Sequence, residues 1–271
     1  IRPNLVQTLE GNPAILHGGP FANIAQGTNT IIATKTGLSL ADYVVTEAGF
    51  GADLGAEKFL HIKGYYSGLK PAAYILVATI RALRYHGGAK KGEYENPNLQ
   101  AVEKGIENLK KHIENAFKFG LKPIVAINHF ATDSDEEINF VKSECEKLGV
   151  KAILADEFTK GGEGMTELAE EVVNCAANCG NNFKPLYKVE DSVEHKIETI
   201  AKEVYGADAV VFSQKALNQL KSIYNLGLDK LPICMAKTQK SLSDDEKKIG
   251  RPKGFKVTVR EFEFAAGAGF I

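Results

Sequence analysis

The stretch that decides the fold is NLQAVEKGIENLKKHIENAFKFGLKPIVAIN, residues 98–128. Its first part is flanked by Pro97 and Gly120 and predicts a helix over 98–119, because apolar residues recur there at helical spacing. These residues are Leu99, Val102, Ile106, Leu109, Ile113 and Phe117. Its last part, Pro123–Asn128, is an apolar run typical of a strand that is buried on both faces. A helix followed directly by such a strand indicates an α/β protein.

The same alternation continues along the chain in both directions. The predicted strands are Tyr43–Thr46, Tyr74–Ile80, Pro123–Asn128, Ala152–Leu154, Ala209–Phe212 and Ile233–Ala236. The further predicted helices are Ser134–Lys147, Gly164–Asn178, Val193–Val204 and Gln214–Tyr224. Strands that alternate with helices predict a mostly parallel sheet with helices on both faces. The polar stretch 237–253 is predicted to be a long exposed loop.

Composition restricts the class of protein. Hydrophobic residues make up 44% of the 271 residues and charged residues 25%, which is ordinary for a globular protein in solution. The net charge of -1 argues against nucleic acid as the main partner. No apolar run approaches the roughly 20 residues that span a bilayer, and no signal peptide opens the sequence. The expected location is therefore the cytoplasm, away from a membrane.

The cysteines and the chain ends add two expectations. Cys175 and Cys179 share a face of a predicted helix, but no second pair or nearby histidine completes a tetrahedral metal set. We therefore expect no metal site and idle thiols. The chain begins with Ile1 rather than methionine and ends in the apolar run 264–271, which leads us to expect that both ends are cuts through a longer polypeptide.

A glycine-rich loop follows the first predicted strand. Gly49, Gly51 and Gly55 have the spacing Gly-x-Gly-x-x-x-Gly, one residue longer than the dinucleotide-binding fingerprint. Such glycines either form a structural turn or let the backbone approach a ligand. Phe50, between two of them, favours the second interpretation because an exposed ring there can form a wall against a flat ligand.

Two further phenylalanines follow later strands. Phe130 lies in the polar segment 128–133, and Phe158 lies in segment 156–164, which continues through Lys160 and three glycines into a helix. Ligands of open α/β sheets bind outside the carboxyl ends of the strands. Taken singly, each phenylalanine is typical of the edge of a core, but together they favour a site for an aromatic ligand.

Two other polar clusters remain open to interpretation. In segment 16–25, a glycine pair allows close backbone approach and His17 is able to donate to a phosphate or carboxylate. In segment 81–88, two arginines and a histidine form either a ligand-facing cluster or a solvated basic turn. The sequence contains neither the Gly-x-Ser-x-Gly pattern of a hydrolase nor a Walker A motif.

These segments together resemble one family, formate–tetrahydrofolate ligase. The stretch ADYVVTEAGFGADLGAEKF, residues 41–59, is similar to that family's central segment, and VATIRALRYHGG, residues 77–88, is similar to its signature. Segments 17–25, 128–133 and 160–164 also match in order and spacing, so the resemblance covers essentially the whole chain. It implies ATP-dependent synthesis of 10-formyltetrahydrofolate from formate and tetrahydrofolate through formyl phosphate. It also implies Mg²⁺ with the ATP, activation by monovalent cations, and a homotetramer.

The resemblance also implies roles for individual residues. Phe130 and Phe158 match the pair that sandwiches the pterin ring, although the second position is often tryptophan. The positions that match the nucleotide site are Ala22, Phe50, Gly51 and Leu154. Possible supporting residues are His17, Asn23, Asp133 and Lys160. The phosphate-binding loop would lie upstream of Ile1, so no catalytic residue and no metal ligand is predicted within the chain.

The resulting prediction is a mostly parallel α/β fold with an incomplete P-loop NTPase-like core and a second α/β domain. Residues 1–100 are expected to belong to the nucleotide-binding core, 101–257 to the domain that supplies the pterin clamp, and 258–271 to a truncated C-terminal strand segment. The isolated chain is expected to be inactive. One alternative is a degenerate ligase domain that serves as a scaffold. The other is a nicotinamide-dependent oxidoreductase, which the sequence disfavours because Arg81, not an acidic residue, follows the next strand.

Overall fold

The computed structural model describes residues 2–17, 19, 21–180 and 182–271. Gly18 and Pro20, which belong to the glycine-containing segment 16–25, lie outside the described residues. The strands are β1 Asn4–Gln7, β2 Pro13–Leu16, β3 Tyr74–Ala78, β4 Pro123–Asn128, β5 Ala152–Ala155, β6 Ala209–Phe212 and β7 Lys256–Val259. The helices are α1 Ile31–Leu40, α2 Gly55–Lys58, α3 Gly64–Ser67, α4 Ile80–His86, α5 Leu99–Lys118, α6 Asp135–Lys147, α7 Glu157–Lys160, α8 Thr166–Asn178, α9 Val193–Thr199 and α10 Gln214–Asn225.

Parallel pairing confirms the predicted α/β class. Strands β3, β4 and β5 form a parallel sheet in that order, with Leu76 opposite Val125 and Ile127 opposite Leu154. Strands β6 and β7 form a second parallel pair, whereas β1 and β2 form an antiparallel hairpin. Because β3, β4 and β5 run in the same direction, the loops that follow them meet at one edge of the sheet.

The chain forms two compact units, each assembled from separate segments. Unit 1 consists of Ile1–Leu69, Pro185–Gln239 and Phe255–Ile271, and unit 2 consists of Lys70–Lys184 and Lys240–Gly254. These limits differ from the predicted divisions at residues 100 and 257. The predicted divisions cut the sequence into consecutive pieces, whereas both units are built from pieces that are distant in sequence.

Unit 2 is built on the β3-β4-β5 sheet. One core cluster lies between this sheet and α8, and its buried members are Ile124, Ala126, Ile153, Ala155, Leu168 and Cys175. Helix α5 packs closely against α4. At Gly105 the two backbones are so near that a Cβ would lie only 1.9 Å from the Leu83 carbonyl oxygen. Helix α5 begins after Asn98, whose side chain accepts from the Ala101 N–H at 3.0 Å. The predicted helix 98–119 is confirmed, and this cap and the apolar stripe stabilise it.

Two predicted strands are wrong. Residues 43–46 and 233–236 are irregular. Beside the first, a single bridge joins Ala48 to Thr28. In the second, the Ile233 N–H donates to the Tyr187 hydroxyl at 3.2 Å and the Cys234 N–H donates to the Ile271 carbonyl at 2.7 Å.

Helices α1, α2, α3, α4 and α7 were not predicted from the sequence. The sequence of helix α1 has no apolar stripe, and the helix buries only Ala33 and Thr34. Helices α2 and α3 are joined by a π-helical turn, Phe59–Lys63, and this stretch buries charged residues where a periodic pattern would have apolar ones. Of the helices in the described part of the chain, none is long and apolar enough to cross a membrane.

Candidate functional site

The glycine-rich loop in unit 1 presents Phe50 in an unusual backbone conformation. Phe50 has φ 58°, and no other non-glycine residue of the described chain has a positive φ. Its ring lies 5.9 Å from the ring of Phe21, with an interplanar angle of 32°. Both rings are exposed, Phe50 to 49% and Phe21 to 64%. Strain of this kind is concentrated at functional sites, so the loop is a candidate ligand-binding surface.

Close backbone contacts hold this loop against segment 21–29. The Gly49 N–H donates to the Gly27 carbonyl at 2.8 Å. A Cβ at Gly27 would lie 2.1 Å from the Ala22 Cβ, and a Cβ at Gly55 would lie 2.0 Å from the Gly49 carbonyl oxygen. Only glycine fits at these two positions. The glycine pattern therefore serves to dock two loops on each other, and it brings the predicted residues Ala22, Phe50 and Gly51 into one region.

Charged side chains are buried beside these loops. Glu57 and Lys58 have no exposed surface, and His61 is only 2% exposed. The His61 Nδ1 lies 2.6 Å from Glu57 Oε1, and its Nε2 accepts from the Leu186 N–H at 3.0 Å. The sequence prediction missed this cluster. The available signal was a run of charged residues, Glu57, Lys58, His61 and Lys63, in a stretch without apolar periodicity.

In unit 2, Phe130 lies beyond the carboxyl end of β4. The Asp133 carboxylate accepts the Phe130 N–H at 2.9 Å and so fixes the turn that carries the ring. The guanidinium carbon of Arg81, just beyond β3, lies 4.8 Å from the centre of the Phe130 ring, a cation–π distance. The Arg81 Nε is buried and makes no hydrogen bond with the described residues. An unsatisfied donor beside an aromatic ring favours a ligand with an oxygen acceptor.

Phe158 lies beyond the carboxyl end of β5 and is 94% exposed. Next to it, the Asp156 carboxylate has two partners. Its Oδ1 lies 3.3 Å from His129 Nδ1, and its Oδ2 lies 3.2 Å from Lys160 Nζ. Burial acts to raise the pKa of Asp156, but hydrogen bonds from Thr159, His129 and Lys160 lower it overall. Asp156 is therefore a carboxylate at neutral pH and is able to accept hydrogen bonds from a ligand.

The basic segment 81–88 divides into two different roles. Arg84 has no exposed surface, so the interpretation as a solvated turn is wrong for this residue. Its Nε and Nη2 donate to both Glu137 oxygens at 2.8 and 2.6 Å, and its Nη2 also donates to the Thr132 carbonyl at 3.0 Å. Burial acts to raise the pKa of Glu137, but hydrogen bonds from Arg84, Asn98 and Ser134 lower it to about 2. Arg84 thus supports the loop that carries Phe130, while Arg81 faces the ring.

The predicted site residues fall into two groups. In unit 1, Ala22, Phe50 and Gly51 lie in the paired loops, Asn23 is half-buried beside them, and His17 follows β2. The unit 2 group lies at the carboxyl ends of β4 and β5, and it consists of Phe130, Asp133, Phe158 and Lys160, with Leu154 inside β5. Among the described residues, no group of three or more His, Cys, Asp or Glu side chains is placed to hold a metal ion.

Comparison with known protein families accounts for the whole sequence. The family model described as formate–tetrahydrofolate ligase matches residues 1–271. The matched range includes both the paired glycine-rich loops of unit 1 and the aromatic strand ends of unit 2. The chain therefore belongs to the formate–tetrahydrofolate ligase family, whose activity is that of a carbon–nitrogen ligase.

Proposed function

We propose that the protein containing this chain makes 10-formyltetrahydrofolate from formate, tetrahydrofolate and ATP, with formyl phosphate as the intermediate. Family membership supports the ligase reaction. The observation that carries the site assignment is that Phe130 and Phe158 follow neighbouring parallel strands. Their rings are thus at the edge of the sheet where α/β proteins bind ligands.

The Phe130 and Phe158 rings are proposed to hold the pterin of tetrahydrofolate between them. Phe158 is 94% exposed and has a face available for stacking. Arg81 covers one face of Phe130, so a stacked ligand takes the other face. The pterin ring carries an amino group and ring N–H donors, and the Asp156 carboxylate is a suitable acceptor for them. Asp133 and Lys160 support this slot from the same loops.

The paired loops of unit 1 are proposed to form the wall of the ATP site on the adenine side. Ala22, Phe50 and Gly51 present a ring and close-packed backbone, which suits a flat base. Asn23 and His17 are proposed as supporting residues of this wall. None of these residues is assigned to the ATP phosphates.

The proposed chemistry has two steps. Formate attacks the γ-phosphorus of ATP, the bond to the bridging oxygen breaks, and formyl phosphate and ADP form; this step depends on positioning and charge neutralisation, which Mg²⁺ assists. The tetrahydrofolate amine then attacks the formyl carbon, phosphate leaves, and the amine loses its proton. The stacked pterin would hold that amine in position for attack. Activation by a monovalent cation, assembly as a homotetramer and a cytoplasmic location belong to the proposal through the family resemblance alone.

Replacing Phe158 with alanine tests the pterin slot. Because Phe158 is 94% exposed, the Phe158→Ala change should leave the folded structure intact. We expect tetrahydrofolate to bind about twofold to tenfold more weakly, since a stacking contact contributes about 0.5–1.5 kcal/mol beyond burial. The measurement is an anaerobic calorimetric titration of the intact protein with tetrahydrofolate.

Phe117→Ala is the matched control. Phe117 is also partly exposed, at 43%, but it lies in the last turn of α5, before the start of β4 rather than at its carboxyl end. We expect this variant to bind tetrahydrofolate like the wild type. Equal affinity of the wild type and Phe158→Ala would contradict the proposed clamp.

A further inference from the structure

Four charged side chains form a buried cluster in unit 1, which we call the Lys58 cluster. It consists of Asp53, Glu57, Lys58 and Lys237. Glu57 and Lys58 are 0% exposed, Asp53 is 4% exposed, and the Lys237 side chain is 3% exposed. The cluster contains two carboxylates and two ammonium groups, so its formal charges balance.

Both lysines of the cluster hold the segment that contains Ala22. The Lys58 ammonium donates to the Ala22 carbonyl. The backbone N–H of Lys237 donates to the next carbonyl, that of Asn23, at 3.2 Å. Lys237 Nζ is in turn 2.8 Å from Asp53 Oδ2. The Lys58 side chain and the Lys237 backbone therefore fix two consecutive backbone carbonyls of the proposed nucleotide wall.

The cluster also supports the second loop of that wall. A Cβ at Gly51 would lie only 2.5 Å from Asp53 Oδ1, so the carboxylate packs directly against this glycine. The Gly51 carbonyl accepts from the Leu54 N–H at 2.9 Å and the Gly55 N–H at 3.0 Å, which places Asp53 inside a tight turn. Asp53 therefore contacts Gly51 on one side and Lys237 on the other.

Stability alone gives a weak reason for burying these charges. A buried ion pair adds little compared with apolar side chains of the same size, whereas removing one partner is costly. Burial lowers the pKa of Lys58, and the nearby Cys234, Glu57 and Asp53 groups partly oppose that effect. Apolar residues would fill this space equally well, but they would not fix the Ala22 carbonyl and the Gly51 turn at a set separation.

We propose that Lys58 is a positioning residue for nucleotide binding: it acts with Asp53 and Lys237 to hold Ala22 and Gly51 in the arrangement that adenine requires. This inference rests on the proposed function, because it assumes that the paired loops form the adenine wall. Lys58 itself contacts backbone rather than nucleotide. Its loss should therefore alter affinity for ATP without altering affinity for tetrahydrofolate.

The chain offers a matched control in Lys196. This lysine is also 0% exposed in unit 1, and its ammonium donates to the carbonyls of Val189, Asp229 and Leu231 at 3.1, 2.7 and 2.8 Å. Its acceptors lie outside both loops of the nucleotide wall. Lys58 and Lys196 are thus both buried lysines that donate to backbone carbonyls, but only Lys58 donates to a residue of the proposed nucleotide wall.

The experiment compares Lys58→Met with Lys196→Met in the intact protein. The readouts are the thermal midpoint and calorimetric Kd values for ATP and for tetrahydrofolate. We expect both variants to melt earlier than the wild type. Only Lys58→Met should bind ATP about tenfold more weakly, and both should bind tetrahydrofolate within about twofold of the wild type.

A second variant keeps the test decisive if Lys58→Met does not fold. Asp53→Asn keeps the shape of the side chain but removes its charge, and we expect it to weaken ATP binding severalfold with tetrahydrofolate binding unchanged. The positioning role would be overturned by unchanged ATP affinity in Asp53→Asn, or by equal ATP affinities in Lys58→Met and Lys196→Met.

Phe50→Ala separates this inference from the proposed function. If Phe50→Ala weakens ATP binding but Lys58→Met does so no more than Lys196→Met, the positioning role alone is wrong. If Phe50→Ala leaves ATP binding unchanged, the proposed adenine wall is wrong, and the positioning role is overturned with it.

Discussion

At the scale of single residues, Phe50 combines a strained backbone with an exposed ring. Its φ of 58° costs a non-glycine residue about 1 kcal/mol or more, because its Cβ crowds the backbone in the left-handed region. Glycine neighbours on both sides allow the loop to adopt its course, but they do not relieve Phe50 itself. A phenylalanine at such a strained position indicates that its ring serves ligand binding rather than folding.

Comparing Phe50→Gly with Phe50→Ala separates the backbone strain from the ring. Both variants lose the ring, so both should bind ATP more weakly than the wild type. Only glycine relieves the strain, and we expect Phe50→Gly to exceed Phe50→Ala in free energy of unfolding by about 1 kcal/mol. Urea denaturation measures this difference. Equal stability of the two variants would show that the residue is unstrained.

At the scale of secondary structure elements, the packing of α4 against α5 depends on glycine, which has no side chain, at position 105. Gly105 lies within α5 and is buried, and the Leu83 carbonyl of α4 occupies the space where its Cβ would lie, at 1.9 Å. Gly87 makes a similar approach to the Ala101 carbonyl, at 1.7 Å. The two helices therefore meet through their backbones, and α4 carries Arg81 and Arg84 toward the Phe130 loop.

Gly105→Ala should destabilise the protein although alanine is the better helix former. Helix propensity favours alanine over glycine by about 1 kcal/mol, but the added Cβ would force the helices apart. We expect a net loss of about 2 kcal/mol in the free energy of unfolding, as for other overpacked cores. The exposed Lys104→Ala on the same helix is the control and should change stability little. A more stable Gly105→Ala would mean that the backbones do not meet.

The elements that the sequence predicted well are those with a local periodic signal. Helix α5 was predicted to within a residue at each end because its apolar stripe, Pro97 and Gly120 are all local features. Residues 43–46 and 233–236 are apolar as well, yet a strand also needs a partner, and local composition does not reveal whether one is present. The helical stretch 55–67 was missed because its buried face contains Glu57, Lys58 and His61.

The same distinction applies to the candidate site. Phe50, Phe130 and Phe158 were singled out because an aromatic residue after a predicted strand is visible in the sequence, although residues 43–46, before Phe50, do not form a strand. The positive φ of Phe50 and the contact of Arg81 with Phe130 depend on the folded backbone, and no local pattern specifies them. The Lys58 cluster joins residues that are about 180 positions apart, from Asp53 to Lys237, so it could only be found in the structure.

At the scale of the whole molecule, the chain moves between the two units several times. Unit 1 takes residues from three segments, and unit 2 takes residues from two. The segment 240–254 returns to unit 2, where the Gly250 N–H donates to His86 Nδ1 at 3.1 Å and the Gly250 carbonyl accepts from Asn108 at 2.9 Å. The expected exposed loop 237–253 is irregular, but it contains the buried Ser241 and Ser243. Each unit therefore needs distant parts of the chain to be complete.

The reactivity of the four cysteines tests whether each unit is packed as described. Cys145 and Cys175 are buried in unit 2, Cys234 is half-buried in unit 1, and Cys179 is exposed. Burial raises the pKa of Cys145 and of Cys234 to about 11. Burial, together with the hydrogen bond to Cys179, raises that of Cys175 to about 12. Thiolate is the reactive form, so these three thiols are protonated at pH 8, and Cys145 and Cys175 are also buried.

We therefore expect iodoacetamide at pH 8 to label Cys179 alone in the folded protein, with all four cysteines labelled in denaturant. Peptide mass mapping assigns the sites, and Cys179→Ser should remove the rapid labelling. Even at pH 9 the other three thiols should be labelled slowly, because with pKa values at or above about 11 only about 1% or less of each is thiolate. Rapid labelling of Cys145 or Cys175 would contradict the packing of unit 2, and rapid labelling of Cys234 would contradict the packing of unit 1 around Lys58.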